Sequence, residues 1–490
     1  MRKHFQSFPA TASTARGVLA GLLAAGALSG SGLAFAAQAG NPAAPAPPPA
    51  APTPPPGEAP GPGETFSLDE AVRYALEHNP RIGGAAAQVR QARARVGQRR
   101  AERGPQLNTS NFVIRQGPTV PPFRPGDNPA VPAYRWDLGV FLNQVVFDWG
   151  RRSARQRAAE RDVNAALFRT EETENDVRLV VGVSFYNVLR SQQLLAVAQE
   201  RRESAQEQLR VAQARFESDV SPRFDVIRAE AELANAEQEV IDAENEIALA
   251  ESTLNTALGR PADAPIALEL GTEPPVPPIT FEQAREAALE ERPQLAALRE
   301  TVEGLRQEVR ARRAENKPQI DFSAGYDRPN PGGFASTAYR WNLGLTLDFP
   351  FFDSGLTRNR VREAQGLVDE TRQELELARQ QVELDVRSAL LDLREAERRI
   401  QTATQEQRAA REALRVANVR YQAGVGTNVE VTDAQVAVAR AGQNLANATF
   451  DYEAARVRLE AATGQTVEEL IAGMAVPAPP MPPPGSQGEQ

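Results

Sequence analysis

The sequence contains no cysteine in 490 residues. That absence excludes disulfides, thiolate metal sites, cysteine nucleophiles and a lipid anchor on an N-terminal cysteine. Histidine is scarce: His4 lies near the start, and His78 sits beside Asn79-Pro80, where a helix-end role is expected. No phosphate loop or dinucleotide fingerprint occurs, because Ser29-Gly30-Ser31-Gly32 falls in a leader-like stretch. Net positive charge is also lacking. Fifty-five Lys and Arg against 64 Asp and Glu give a formal charge of -9, which argues against a nucleic-acid surface. Past the N-terminus no apolar run is long enough to cross a bilayer as a helix, although alternating barrel strands escape that criterion. The many carboxylates fall on repeating helical faces, where pairs are solvated. These absences argue against an enzyme: no catalytic residue, metal ligand or cofactor is expected.

What is present begins with a signal peptide, assigned to residues 1–36. Arg2, Lys3, His4 and Arg16 precede an apolar stretch from Gly17 to Leu28 and an Ala34-Phe35-Ala36 cleavage site; Ala37-Gln38-Ala39 is a second candidate. The apolar segment is short for a membrane anchor. Residues 37–63 form a Pro/Ala-rich linker and 471–490 a Pro-rich tail, both expected to be disordered.

Between these tails the chain repeats itself, as units 64–262 and 276–470 joined by a linker, 263–275. Ser67-Leu68-Asp69-Glu70-Ala71 recurs as Thr280-Phe281-Glu282-Gln283-Ala284. Pro105-Gln106-Leu107 recurs as Pro318-Gln319-Ile320, Tyr134-Arg135-Trp136 as Tyr339-Arg340-Trp341, and Phe147-Asp148-Trp149-Gly150 as Phe352-Asp353-Ser354-Gly355. The preserved order marks a tandem duplication of roughly 200 residues per unit. The offset falls from 213 to 205 between the Pro-Gln and Tyr-Arg-Trp motifs, so the first unit carries eight extra residues between its strand candidates, as loops allow.

Each unit reads helix, strand, strand, helix, helix. Leu375, Val382, Ala389, Ala396, Ala403, Ala410 and Ala417 step by seven, and Val386, Leu393, Ile400, Leu414 and Tyr421 form a second seam interrupted by Gln407. Such a repeat imposes left-handed supercoiling. The proline-free stretch from Gly355 to Gln422 predicts a helix of about 100 Å. Arg151–Glu217 should match it, while helices near Ser67–Arg103 and Pro222–Leu258 are about half as long. The strands alternate. Ile320, Phe322, Ala324 and Tyr326, like Trp341, Leu343, Leu345 and Leu347, are separated by polar or small residues; Phe141 breaks the polar face of the strand carrying Trp136, Leu138, Val140 and Leu142. One face thus suits lipid, and Trp136, Trp149 and Trp341 fall where an aromatic girdle would lie. Two hairpins cannot close a barrel, so a spanning barrel needs several chains.

Three features then resemble the TolC-type outer membrane efflux protein family, the outer membrane factors of tripartite pumps: the repeat opening with Asn79-Pro80, the strand-to-helix junction at Phe147-Asp148-Trp149-Gly150 and Phe352-Asp353-Ser354-Gly355, and the helix-turn-helix Arg420-Tyr421-Gln422-Ala423-Gly424-Val425-Gly426-Thr427. They cover about residues 64–470. The resemblance implies a mainly α protein with a β-barrel portion: a homotrimer whose twelve-stranded transmembrane barrel continues into a periplasmic α-helical coiled-coil barrel. It implies a passive exit duct for small molecules or proteins in the cell outer membrane. Its partners would be outer-membrane lipid, a periplasmic membrane-fusion adaptor and an inner-membrane pump of RND, ABC or MFS type, in efflux or type I secretion. Adaptor docking would fall on Arg215, Phe216, Asp219, Pro222, Arg420, Tyr421, Gly424, Gly426 and Thr427. Gly424 and Gly426 suit a turn needing positive φ. The aperture would be set by Glu430, Asp433 and Asp225, while Gly426 occupies a place where some members carry a basic gate partner. A second reading stays open, an exported coiled-coil surface adhesin or periplasmic scaffold. It shares the heptads and leader but needs no amphipathic hairpins.

Overall fold

The computed structural model describes residues 65–115, 134–271, 279–330 and 339–466. The expected signal peptide, the Pro/Ala-rich linker, the tail and the interstrand loop around 117–132 lie outside these residues. In chain order the first half holds β1 (Thr65–Phe66), α1 (Leu68–His78), α2 (Pro80–Ala101), β2 (Gln106–Arg115), β3 (Tyr134–Phe147), α3 (Arg151–Glu217) and α4 (Arg223–Leu258). The second holds β4 (Ala267–Leu268), α5 (Phe281–Glu291), α6 (Pro293–Arg313), β5 (Gln319–Asn330), β6 (Arg340–Asp348), α7 (Leu356–Gln422) and α8 (Asn428–Thr463). The longest helices match, 67 residues in both α3 and α7, as do the 36-residue α4 and α8.

The expected single helix from Ser67 to Arg103 is divided at Asn79-Pro80. The residue before proline is pushed out of the helical region, and Asn79 is extended at ψ 126°. Its side chain caps α2 and ties the break to α4: Oδ1 accepts from the Arg81 amide at 2.8 Å, and Nδ2 donates to the Ala257 carbonyl at 2.7 Å. The same break separates α5 from α6 at Arg292-Pro293, where Arg292 makes an ion pair with Asp385 at 3.1 Å instead of capping. Ser67 with Glu70 and Thr280 with Gln283 form reciprocal capping boxes at the starts of α1 and α5. His78 closes α1 by donating from Nδ1 to the Tyr74 carbonyl at 2.9 Å and stacking on the Tyr74 ring.

Aspartate starts both long helices. Asp148 accepts from the Gly150 amide at 3.2 Å and the Arg152 amide at 3.0 Å, and Asp353 accepts from Gly355 at 2.9 Å and Thr357 at 2.8 Å. To bring those amides round, two successive residues turn left-handed: Trp149 and Gly150 at φ 54° and 80°, Ser354 and Gly355 at φ 51° and 84°. The repeated aromatic-Asp-x-Gly motif is therefore a capping turn, and its glycine meets the conformation that costs other residues most. Hydrogen bonds from Thr357 and Gly355 hold the Asp353 carboxyl below its ordinary range. Burial works to raise the Asp148 carboxyl, but the Arg152 side chain and the Arg152 and Gly150 amides outweigh it, and it too lies low.

The whole first heptad seam, Leu375 to Ala417, is buried, as are Val386, Leu393 and Tyr421 of the second. α7 packs on α8, and α3 on α4, α2, α6 and α8. The apolar core gathers around the middle of the long helices. There Leu295, Val382, Val386, Leu390 and Leu459 form one cluster, and Phe66, Val181, Phe185, Val188, Leu254 and Leu258 form another. The two-residue strands β1 and β4 pair in parallel beside it. Toward the turn that ends α7, the seam narrows to alanine, which brings α8 close.

β2, β3, β5 and β6 make one antiparallel sheet in that order, so the two halves of the chain join through β3 and β5. The strands have 10, 14, 12 and 9 residues, each at least as long as the roughly 9 residues a tilted barrel strand needs to cross a bilayer. No helix among the described residues is long and apolar enough to cross a membrane.

Candidate functional site

The expected site residues fall in two regions, at opposite ends of the long helices. The first is the sheet. Its register aligns Leu107 with Leu142, Val140 with Tyr326, Ala324 with Leu343, Phe322 with Leu345 and Ile320 with Leu347 on one face. That face is uncovered: Trp341, Leu343, Leu345 and Leu347 are 66–71% exposed. The opposite face carries Asn143, Asp137, Ser323, Asp327, Asn342 and Arg340. There Asp327 is buried and receives two bonds from Arg340, 3.1 Å from Nε and 2.7 Å from Nη2. This face is not wholly polar: Phe112, opposite Asp137, and Val145, opposite Asp321, lie on it with Phe141, which lies across Gly139 and Gly325. A Cβ at Gly139 would come within 2.6 Å of the Phe141 ring, and one at Gly325 within 3.0 Å. The two glycines make room for the Phe141 ring.

Trp341 projects from the uncovered face opposite Tyr326, whose ring stacks with Tyr339. Trp136 stands on β3 opposite Val113 and Asn330, in the same half of the sheet; only its backbone place is described. Trp149 lies at the other end, half exposed and edge-on to Phe147 with centroids 5.2 Å apart. The tryptophans thus mark both ends of the apolar band. Phe351 and Phe352 join Trp149 at the helix end and are more exposed than Trp149 or Trp341. Three phenylalanines in the four residues Phe349 to Phe352, around one proline, were the available signal for them.

The second region is the pair of turns that end α3 and α7. Their backbones match bond for bond. Val220 and Ser221 donate to the Arg215 carbonyl at 2.9 and 3.3 Å, and Val425 and Gly426 donate to the Arg420 carbonyl at 3.0 and 3.0 Å. Asp219, at φ 55°, holds the left-handed place that Gly424 takes at φ 77°. Gly426 does not have the positive φ expected of it. Its constraint is space, since a Cβ would meet the Tyr421 amide nitrogen at 3.0 Å. Pro222 caps the start of α4 without a side-chain bond, whereas Thr427 caps α8 by accepting from the Glu430 amide at 3.3 Å.

The structure brings the two turns together. Arg215 donates to the Tyr421 carbonyl at 2.8 Å, and its guanidinium lies 4.3 Å from the Tyr421 ring centroid. Gln208 bonds Asn428, and Asn428 reaches the Asp225 carbonyl at 3.5 Å. Burial pushes the Tyr421 hydroxyl above its ordinary value. Glu430 and Asp433 are both exposed on α8, one turn apart, but they are not equivalent. Arg420 Nε lies 3.4 Å from Glu430 Oε2, while the carboxylates of Asp433 and Asp225 have no cation within ion-pair distance among the described residues. Phe216, Val220, Phe224, Ile227, Val425 and Val429 are exposed around these turns. Of these only Phe216 was among the expected docking residues; the run of apolar side chains at Val220, Phe224, Ile227, Val425 and Val429 beside charged helix ends was the available signal for the other five.

Comparison with known proteins places this geometry. A family model described as outer membrane efflux protein matches residues 71–260 and 284–465. The alkaline protease secretion protein AprF of Pseudomonas aeruginosa is 26% identical over 68% of this chain and 70% of its own length. The outer membrane protein TolC of Vibrio cholerae is 24% identical over 84% of this chain and 94% of its own. The solved structure of the outer membrane protein VceC from Vibrio cholerae shares the fold at a TM-score of 0.70 and 18% identity, over 82% of this chain and 96% of that one.

Proposed function

The chain belongs to the outer membrane efflux protein family, and from that premise we propose that it is the outer-membrane exit duct of a tripartite efflux pump or type I secretion machine. It works as a transport channel rather than an enzyme. The observation that carries the reading is the sheet: an uncovered apolar face, a polar opposite face and two unpaired edge strands, β2 and β6. An edge cannot stay open in lipid, and four strands are too few to close on themselves. Three chains side by side give about twelve strands, a workable barrel with its polar face inward. The helices support the same assembly. Leu377, Leu384 and Leu391 step by seven along α7 and remain exposed, a second apolar seam for α7 to bury against a neighbouring copy.

In this assembly the α3 and α7 turns form the periplasmic tip, and their exposed apolar residues meet a membrane-fusion adaptor that links the duct to its inner-membrane pump. Asp433 and Asp225 face the aperture as unneutralised carboxylates, and Glu430 is half-neutralised by Arg420. Three copies gather like charges that favour cations and admit a bridging multivalent ion. Cross-linking of the detergent-solubilised protein should yield a trimer; a dimer or monomer sinks the assembly. In planar bilayers the protein should conduct, select cations and be blocked by multivalent cations from the tip side. Asp433→Asn should weaken block and selectivity more than Glu430→Gln. Wild-type selectivity and block in the double variant would place the gate elsewhere, and no conductance at all would return the scaffold reading.

A further inference from the structure

Charge is distributed unevenly along the helices. The end of α2, from Arg90 to Arg103, holds six arginines against one glutamate, and the end of α6, from Arg306 to Lys317, holds five basic residues against two. α3 opens with four arginines in seven residues and α7 with three in seven. All four segments adjoin the strands, so they ring the end of the sheet. Basic residues at the C-termini of α2 and α6 suit the helix dipole, but those at the N-termini of α3 and α7 oppose it and need another reason.

Part of this charge is neutralised locally, by Arg99 with Glu102, Arg152 with Asp148, and Arg155 and Arg360 with Glu315. Arg100, Arg103, Arg313 and Lys317 are exposed and have no carboxylate within ion-pair distance among the described residues. The side of the sheet that Lys317 borders is fixed by contact. Lys317 Nζ lies 5.0 Å from the centre of the Trp149 ring, Trp149 packs on Phe147, and Phe147 stands opposite Ile320 on the uncovered apolar face. An apolar band, then exposed aromatics, then unpaired cations is the order of groups that a bilayer surface presents in reverse.

We propose that this basic collar binds the phosphate headgroups of anionic phospholipids in the leaflet on the helix side of the sheet. The proposal rests on the reading of the sheet as part of a membrane barrel. The headgroup phosphates neutralise Arg100, Arg103, Arg313 and Lys317, and Trp149 and Phe147 pack beneath them against the acyl chains. The collar then sets the depth at which the barrel sits.

The test uses the full-length protein in lipid nanodiscs of phosphatidylglycerol and phosphatidylcholine, with lipid retention after detergent extraction read by native mass spectrometry. The wild type should retain phosphatidylglycerol preferentially. R100Q/R103Q/R313Q/K317Q should lose that preference by at least about tenfold. The control R372Q/R398Q/R408Q/R411Q removes the same charge from exposed sites further along α7 and should keep it. Equal loss in both variants reduces the effect to net charge and overturns the collar, as does a wild type with no preference. Displacement of the lipid by soluble glycerol phosphate would reveal plain anion binding and also overturn it. Failure of the wild type to enter any bilayer overturns the barrel reading itself, whereas entry without lipid preference overturns the collar alone.

Discussion

Phe216 and Tyr421 hold matching places, each the penultimate residue of a 67-residue helix, and meet opposite fates: Phe216 is 41% exposed, Tyr421 only 5%. The turns that follow share the same backbone bonds, so local structure does not separate them. Their neighbours do. α8 packs on both α7 and α3, so Tyr421 is enclosed by Ala417 and Val431 and covered by Arg215 from α3. α4 packs on α3 and leaves the far side of the first turn open. A duplicated motif therefore yields one anchored turn and one that offers its aromatic outward. The two turns thus differ as a buried half and an exposed half.

The strongest way to break this comparison is to truncate both rings. Tyr421→Ala removes a buried aromatic and should cost about 3–5 kcal/mol, while Phe216→Ala should stay within about 0.5 kcal/mol, as exposed sites do. Hydrogen exchange at the tip measures both, and equal loosening in the two variants would remove the distinction. Phe216→Ala should instead weaken capture of the cognate adaptor without changing protection at the tip.

The left-handed position gives the next effect. Gly424→Val forces a β-branched residue to φ 77° and should cost at least about 1–2 kcal/mol. Asp219→Gly, at the matching position, should change stability by less than about 1 kcal/mol. Limited proteolysis at the two turns should separate the variants. Cleavage of Asp219→Gly at the rate of Gly424→Val would show that the aspartate side chain, and not the backbone, holds the first turn.

A smaller effect is expected at the Arg420–Glu430 pair, whose side chains are 53% and 44% exposed. Glu430→Gln should shift stability by no more than about 1 kcal/mol, measured by denaturant titration, even where it alters conduction. A larger loss would assign the pair a part in holding the second turn.

The two helix starts extend the comparison to pH. Both Asp148 and Asp353 have folded carboxyl pKa values below their unfolded ones, so each stabilises its helix start above the ordinary carboxylate range and loses that contribution as pH falls through the folded value. Asp148 is also held by the Arg152 guanidinium, at 2.8 Å, whereas Thr357 takes that place beside Asp353. Asp353→Asn should therefore flatten the acid side of the stability profile, read from circular dichroism melts between neutral and strongly acidic pH. An unchanged acid profile would remove Asp353 from the cause.

Much of this architecture was legible in the chain. The bounds of α3 emerged residue for residue as the counterpart of the proline-free stretch from Gly355 to Gln422, and the first seven-residue seam of α7, Leu375 to Ala417, is buried at every position named. Both are consequences of local geometry, since a residue and the one seven further on share a helix face whatever the surroundings. The alternation of Trp341, Leu343, Leu345 and Leu347 likewise settles which residues share a face of β6. The aromatic-Asp-x-Gly motif was visible as a repeat, but its role as a double left-handed cap needed the dihedral angles.

Sequence by itself determined the long helices, the four strands of the larger sheet, their order, their amphipathic faces and the family, because each follows from periodicities and turn chemistry within a few residues. The breaks at Asn79-Pro80 and Arg292-Pro293 and the short β1 and β4 emerged only in the structure. Tertiary structure decided what those faces meet. It joined the halves through β3 and β5, set Arg215 over Tyr421 and left Phe216 outside, paired Glu430 with Arg420 and left Asp433 alone, and gathered the basic ends of four helices around one end of the sheet. These contacts join residues as far as 206 positions apart. No local pattern encodes such pairings, because a helix face specifies that it must be buried and not which neighbour buries it.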